Sequence, residues 1–160
     1  MDTMGFDMVA RELPAYRDRL LELDGSIKAQ AFDIRFSRGQ PVAVCGSDGV
    51  FFLKGGGGAT LALTPGLPVV SQEELQELFL QVCGHSVFSH EEEVRGGYVV
   101  FGGSCRAGLC GTAVLEQGEI KTVRDVTTLV FRIPRERQGC GDRLFLEGAM
   151  SGGLLIAGEP

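Results

Sequence analysis

The sequence predicts an α+β domain in which two to three helices accompany an antiparallel sheet. Three observations carry that prediction. Apolar residues recur at helical spacing around Leu13–Leu23 and Leu75–Val82, and they alternate with polar ones from Phe32 to Ser37. The 24 glycines among 160 residues are about twice the ordinary share and mark many tight turns.

In "ARELPAYRDRLLELDG", Leu13, Tyr16, Leu20 and Leu23 fall on one side of a helix, with Asp24-Gly25 as its stop. A half-buried strand follows, in which Phe32, Ile34 and Phe36 point one way and Asp33, Arg35 and Ser37 the other. Arg38-Gly39-Gln40-Pro41 turns the chain into "PVAVC", and Ser47-Asp48-Gly49 turns it again into "VFFLK". Glycines 55 to 58 lack the Lys-Ser/Thr and the helix that a phosphate cradle needs, so they read as a hairpin tip before the strand and turn of "ATLALTPGLP".

"VSQEELQELFLQVCG" carries a capping-box pair, Ser71 and Glu74, an apolar face of Leu75, Leu78, Phe79 and Val82, and Gly84 as terminator. A second Ser-x-x-Glu, Ser89 with Glu92, predicts the start of a shorter helix through "HEEEVRGG". Strands are expected at Tyr98–Phe101, at Arg106–Leu115 and in "LVFRIP", with a turn at Gln117-Gly118 and a stop at Pro134. "QGCGDRLFLEGAMSGG" reads as a short helix or loop. The closing "GGLLIAGEP" is an apolar run bounded by glycine, the pattern of a buried parallel strand ahead of a phosphate-binding loop.

Fifteen Lys and Arg against 21 Asp and Glu give a net charge of -6, the wrong sign for a dedicated binder of nucleic acid or anionic membrane, although a local basic patch stays open. Five cysteines without a CxxC pair suggest neither a disulfide framework nor a zinc ribbon, and fit reduced cytosolic thiols. With no run near the roughly 20 apolar residues of a membrane span and no signal-peptide pattern at its start, the chain reads as cytoplasmic. Its length is enough for one domain without metal or disulfide.

Constellations for independent chemistry are weak. His85, His90 and Cys83 flank a loop between two helices and need not converge on a metal. Cys105 and Cys110, five apart on one strand, face opposite sides and read as small buried fillers. Glu91, Glu92 and Glu93 fan around a helix and suit its first turn rather than acid/base work.

The stretches "DIRFSRGQPVAV", "FSHEEEVRGGYVVFGGSCRAGLCGTAVLEQGEIKTVRDVTTLVFRIPRE" and "GGLLIAGEP", in that order, resemble the stage III sporulation protein AA family, related to the secretion and pilus-retraction ATPases. The resemblance implies a PAS-like N-terminal α+β domain over residues 1–136, a linker over 137–152, and the first strand of a RecA-like core over 153–160. Gly158, Glu159 and Pro160 would open a P-loop, so these residues alone are expected to lack ATPase activity. ATP and Mg²⁺ would belong to the longer protein. Glycines within 136–152 could serve as a hinge or simply as a surface linker.

In the related ATPases, arginines of the N-terminal domain reach nucleotide on a neighbouring core. Arg124, Arg132, Arg135 and Arg106 are the candidates here, with Arg124 singled out; the competing expectation is that they pair with carboxylates such as Asp125 or Glu136 on a solvated face. The resemblance further implies a hexameric homo-oligomer, membrane-protein partners in a channel between mother cell and forespore, and a position in the mother-cell cytoplasm at the membrane. A PAS-like small-ligand sensor and a protein-interaction domain are alternatives. A nucleic-acid module would require Arg106, Arg124, Arg132, Arg135 and Arg137 to cluster.

Overall fold

The computed structural model describes residues 2–103 and 105–135, together with Gly139 and Asp142. Among these residues it is an α+β domain with five helices and a seven-stranded antiparallel sheet in the order β4-β3-β2-β1-β7-β6-β5. The strands are β1 Ala31–Ser37, β2 Ala43–Gly46, β3 Gly49–Leu53, β4 Ala59–Thr60, β5 Tyr98–Phe101, β6 Cys105–Glu116 and β7 Glu119–Arg132. Of the expected linker over 137–152 only Gly139 and Asp142 are among the described residues, and the closing strand with Gly158, Glu159 and Pro160 lies outside them.

The expected N-terminal helix is three short ones, α1 Met4–Arg11, α2 Arg17–Leu21 and α3 Gly25–Gln30. Pro14, with no N–H to donate, stands between the first two. Asp24 starts a helix instead of stopping one, because its carboxylate accepts from the Ser26 amide at 2.8 Å as an N-cap. The predicted apolar positions are nevertheless all buried: Leu13 and Leu20 at 0%, Leu23 at 3% and Tyr16 at 6% exposure.

Helix α4, Gln72–Val82, forms as expected. The Ser71 hydroxyl accepts from the Glu74 amide at 3.1 Å, and the Glu74 carboxylate accepts from the Ser71 amide at 2.8 Å. The second capping pair does not form. Ser89 spends its hydroxyl on Ser86 at 2.8 Å, and a 3₁₀ turn over Val87–His90 leads into α5, Glu91–Arg95.

Ile34 and Phe36 point into the core at 0% exposure, but Phe32 does not: the pairing of β1 with β2 shifts register between Ala31 and Asp33, leaving Phe32 42% exposed. Buried residues of the strands and helices form one core cluster. An edge-to-face aromatic chain crosses it, from Tyr16 to Phe36 at 4.8 Å, Phe36 to Phe131 at 5.4 Å and Phe131 to Phe101 at 5.3 Å between centroids. Each such pair adds about 0.5–1.5 kcal/mol beyond area burial, tying the start of α2 through β1 and β7 to β5.

Because the inward residues of every long strand share that cluster with the helices, the helices cover one face of the sheet, and among the described residues the other face is bare. The β6–β7 hairpin also outruns its neighbours. β5 pairs with β6 only to Gly108 and β1 with β7 only to Thr128, and from Cys110 onward the buried/exposed alternation of β6 gives way to exposure. Beyond that point the hairpin is a two-stranded arm about 20 Å long, closed by Gln117-Gly118 as the sequence predicts.

Candidate interaction face and its arginine cluster

Strand pairing fixes what the bare face displays. Cys45 lies opposite Asp33, Asp33 opposite Arg132, and Arg106 follows on β6 from the register that pairs Ala107 with Phe131. The next row runs through Phe52, Ala43, Arg35, Val130, Gly108 and Tyr98. The face is thus aromatic and aliphatic with three arginines near its centre, a composition enriched in protein interfaces.

Asp33 organises the cluster. It is 3% exposed, although it stands on the bare side. Arg35 covers it with a forked contact, Nε to Oδ1 at 2.9 Å and Nη2 to Oδ2 at 3.3 Å, while Arg132 Nη1 comes within 3.9 Å of Oδ2. The guanidinium of Arg35 has its pKa raised, first by the hydrogen bond to Asp33. Burial, reinforced by a hydrogen bond to Asp33, pushes the Cys45 thiol up to about 11. One carboxylate therefore serves two arginines, while a third, Arg106, lies over the Tyr98 ring at 4.9 Å. Arg106 and Arg132 occupy neighbouring positions on adjacent strands, an arrangement of like charges that costs stability unless an anion answers it.

At the β5 edge, Glu93 accepts from the Val100 amide at 2.8 Å and faces His90 Nδ1 at 3.1 Å. These bonds, chiefly the Val100 amide, hold its carboxyl below the usual range, with a small contribution from Arg106. By occupying the Val100 amide on the outer strand, this carboxylate of α5 also blocks pairing with a stray strand.

The four arginines singled out in the sequence separate into three places. Arg106 and Arg132 stand together on the bare face. Arg135 donates through Nε and Nη2 to the Ala31 carbonyl at 3.1 and 2.6 Å, fastening the end of β7 to the start of β1. Arg124 is on the arm, 3.6 Å from Asp125 and 70% exposed at its side chain. They do not form one track, and Arg137 lies outside the described residues. Arg35 and Asp33 were missed as site residues because strand alternation assigns both to a solvated side; the signal was an acid two residues from an arginine on one strand face.

Of the other residues considered, His85 is exposed at positive φ and His90 is occupied by Glu93. Cys105 is buried and Cys110 exposed, so they do face opposite sides, but Cys110 is not the buried filler expected. Glycines 55 to 58 close the β3–β4 hairpin, with the Lys54 amide donating to the Gly58 carbonyl at 3.0 Å. No helix among the described residues is long and apolar enough to cross a membrane.

A family model described as "Sporulation stage III, protein AA" matches residues 8–151. Among curated proteins, Stage III sporulation protein AA of Bacillus subtilis (strain 168) is 32% identical over 72 residues, which cover 45% of this chain and 24% of that protein. Among solved structures, the ATPase DotB of Yersinia pseudotuberculosis is similar with a TM-score of 0.34 and 16% identity, over 64% of this chain and 26% of that one.

Proposed function

Because the chain belongs to the sporulation stage III protein AA family, we propose that it is the N-terminal assembly and regulatory domain of a sporulation ATPase that powers a secretion-like channel between mother cell and forespore. The observation that carries this reading is the bare sheet face, on which Arg106 and Arg132 stand side by side beside Arg35 and the shared Asp33. A surface that, among the described residues, holds three guanidinium groups around the single carboxylate of Asp33 is organised for an anion brought by another body.

In the longer protein, assembled as a hexamer at the membrane of the mother cell, that anion would be phosphate of nucleotide held by a neighbouring core. ATP and Mg²⁺ would be bound by that core, which supplies the phosphate loop. The guanidinium forks of Arg106 and Arg132 would neutralise phosphate charge, Asp33 would orient Arg132, and the apolar remainder of the face would exclude water from the contact. Arg124, separated from this pair, would need a second contact through the arm. A PAS-like sensor role would require a ligand enclosed by the sheet and helices, whereas the arginines lie on the outer side.

ATPase turnover of the longer protein in its assembled state tests the reading. An arginine that stabilises transferring phosphate is worth about 10³ or more in turnover, so Arg106→Ala with Arg132→Ala should slow it at least about tenfold. Arg124→Ala, measured separately, reports whether the arm also reaches nucleotide. Unchanged turnover in the Arg106/Arg132 variant, with assembly intact, removes the proposal.

A further inference from the structure

The arm presents a feature that the bare face does not explain. Near its tip Leu115 and Ile120 are direct cross-strand partners, 64% and 42% exposed, and the next pair is Glu116 with Glu119. Lys121 answers Glu116 at 2.9 Å; among the described residues Glu119 has no ionic partner. Two carboxylates opposite each other beyond an apolar pair form an acidic, greasy knob.

At the base of the same arm lies a groove of about 280 Å³, lined by Phe79 and Leu80 of α4, Val87 of the 3₁₀ turn, and Val123 and Val126 of β7. Its lining is chiefly apolar, and Arg124 stands at its rim with a 70% exposed side chain and only the adjacent Asp125, at 3.6 Å, as ion partner. Arg38 is close by: it donates to Gln72 at 3.2 Å, and Gln72 donates to the Val126 carbonyl at 3.4 Å. The hole is therefore chiefly apolar, with Arg124 and Asp125 both in its lining; it complements the apolar pair of the knob, Arg124 is the cation available to a knob carboxylate, and the size suits one or two aliphatic side chains rather than a drug-sized ligand.

A molecule cannot fill its own groove. The tip is about 20 Å from the base along an extended hairpin, so knob and hole are held apart by the strands themselves. Ala113 pairs with Val123 and Leu115 follows two residues on, which puts the apolar knob on the side of the hairpin that lines the groove. Both arm edges also run free of β1 and β5, leaving backbone donors and acceptors for another strand.

We propose that the arm tip of one copy seats in the α4-side groove of a second copy of this chain, Leu115 and Ile120 entering the apolar lining while Glu119 meets Arg124. Two copies exchanging arms, or successive copies joined head to tail, make the same contact. It is separate from the arginine cluster and needs no nucleotide.

Self-association of the chain by analytical ultracentrifugation, without nucleotide, is the test. Leu115→Ser with Ile120→Ser should weaken it at least about tenfold, and Arg124→Glu should weaken it likewise, with Glu119→Arg restoring it in the double variant. In a Cys110→Ser, Cys140→Ser background, Leu115→Cys mixed with Leu80→Cys should give an intermolecular disulfide. The charge swap keeps the test readable should the serine variant fail to fold. A chain that stays monomeric up to near-millimolar concentration, or one whose association ignores both the tip and the swap, overturns the proposal.

Discussion

Replacing Asp33 with Asn removes the one carboxylate shared by Arg35 and Arg132 while keeping its shape. The Arg35 fork at 2.9 and 3.3 Å is charge-assisted, and hydrogen bonds to charged groups contribute about 1.5–3 kcal/mol each. That figure must be discounted, because the arginine side chains are 52% and 70% exposed and water screens them, even though Asp33 itself is only 5% exposed at its side chain. A net loss of about 1–2 kcal/mol remains, which in a domain of this size lowers Tm by roughly 3–8 °C. The variant also leaves three guanidinium groups with their repulsion less compensated. Its deficit should therefore shrink between about 10 mM salt, where the Debye length is about 30 Å, and about 1 M, where it is about 3 Å. Thermal unfolding followed by circular dichroism at both salts reads both effects. An Asp33→Asn chain that melts within about 1 °C of the unaltered one at low salt, with the same salt response, refutes the argument that this carboxylate organises the face.

Three further outcomes follow from the geometry. Ser71→Ala should cost about 0.5–2 kcal/mol in urea unfolding, the ordinary worth of an N-cap, whereas Ser89→Ala should cost far less because that hydroxyl caps nothing. Gly111→Ala should destabilise by about 1–3 kcal/mol, since a Cβ there would meet the Arg124 carbonyl at 2.7 Å and Val123 Cγ1 at 2.8 Å; Gly108→Ala, with its nearest neighbour at 3.9 Å, tests the difference by the same assay. Burial, with Glu74 beside it, pushes the Tyr16 hydroxyl up to about 12. A raised folded value contributes stability that is present below the unfolded tyrosine value near 10 and is lost as pH rises through the folded one, so the stability of Tyr16→Phe should fall less steeply than that of the parent between these two values.

The parts legible in the sequence are those specified by neighbours a few residues apart. The Ser71/Glu74 box, the apolar face of α4, the turn at Gln117-Gly118 and the hairpins after β1 each depend on contacts within one turn or one hairpin. Burial of Leu13, Tyr16, Leu20 and Leu23 was legible too, but the continuity of their helix was not, because Pro14 and the capping of Asp24 divide it without changing which side faces the core. Ser89 shows the limit of a local motif: its hydroxyl had another partner, the Ser86 hydroxyl, and took it.

The site was less legible than the fold. Arginine at positions 106 and 132 could be nominated from composition and resemblance, and the β6–β7 hairpin sets them side by side, yet the carboxylate they gather around comes from β1, which pairs with β7 across about 100 residues of sequence through the Asp33–Arg132 register. The same pairing buries Asp33 on a side that alternation assigns to water, and it separates Arg124 and Arg135 from the cluster.

By itself, then, the sequence determined the secondary-structure class, the family and most of the buried positions, because period, caps and turns act over short distances and leave a trace in residue order. Only the tertiary structure decided which face is bare, which arginines share a carboxylate and how far the β6–β7 arm projects. Those outcomes depend on where each strand finds its partner, and strand partners distant along the chain are chosen by the packing of the whole core rather than by any local run of residues.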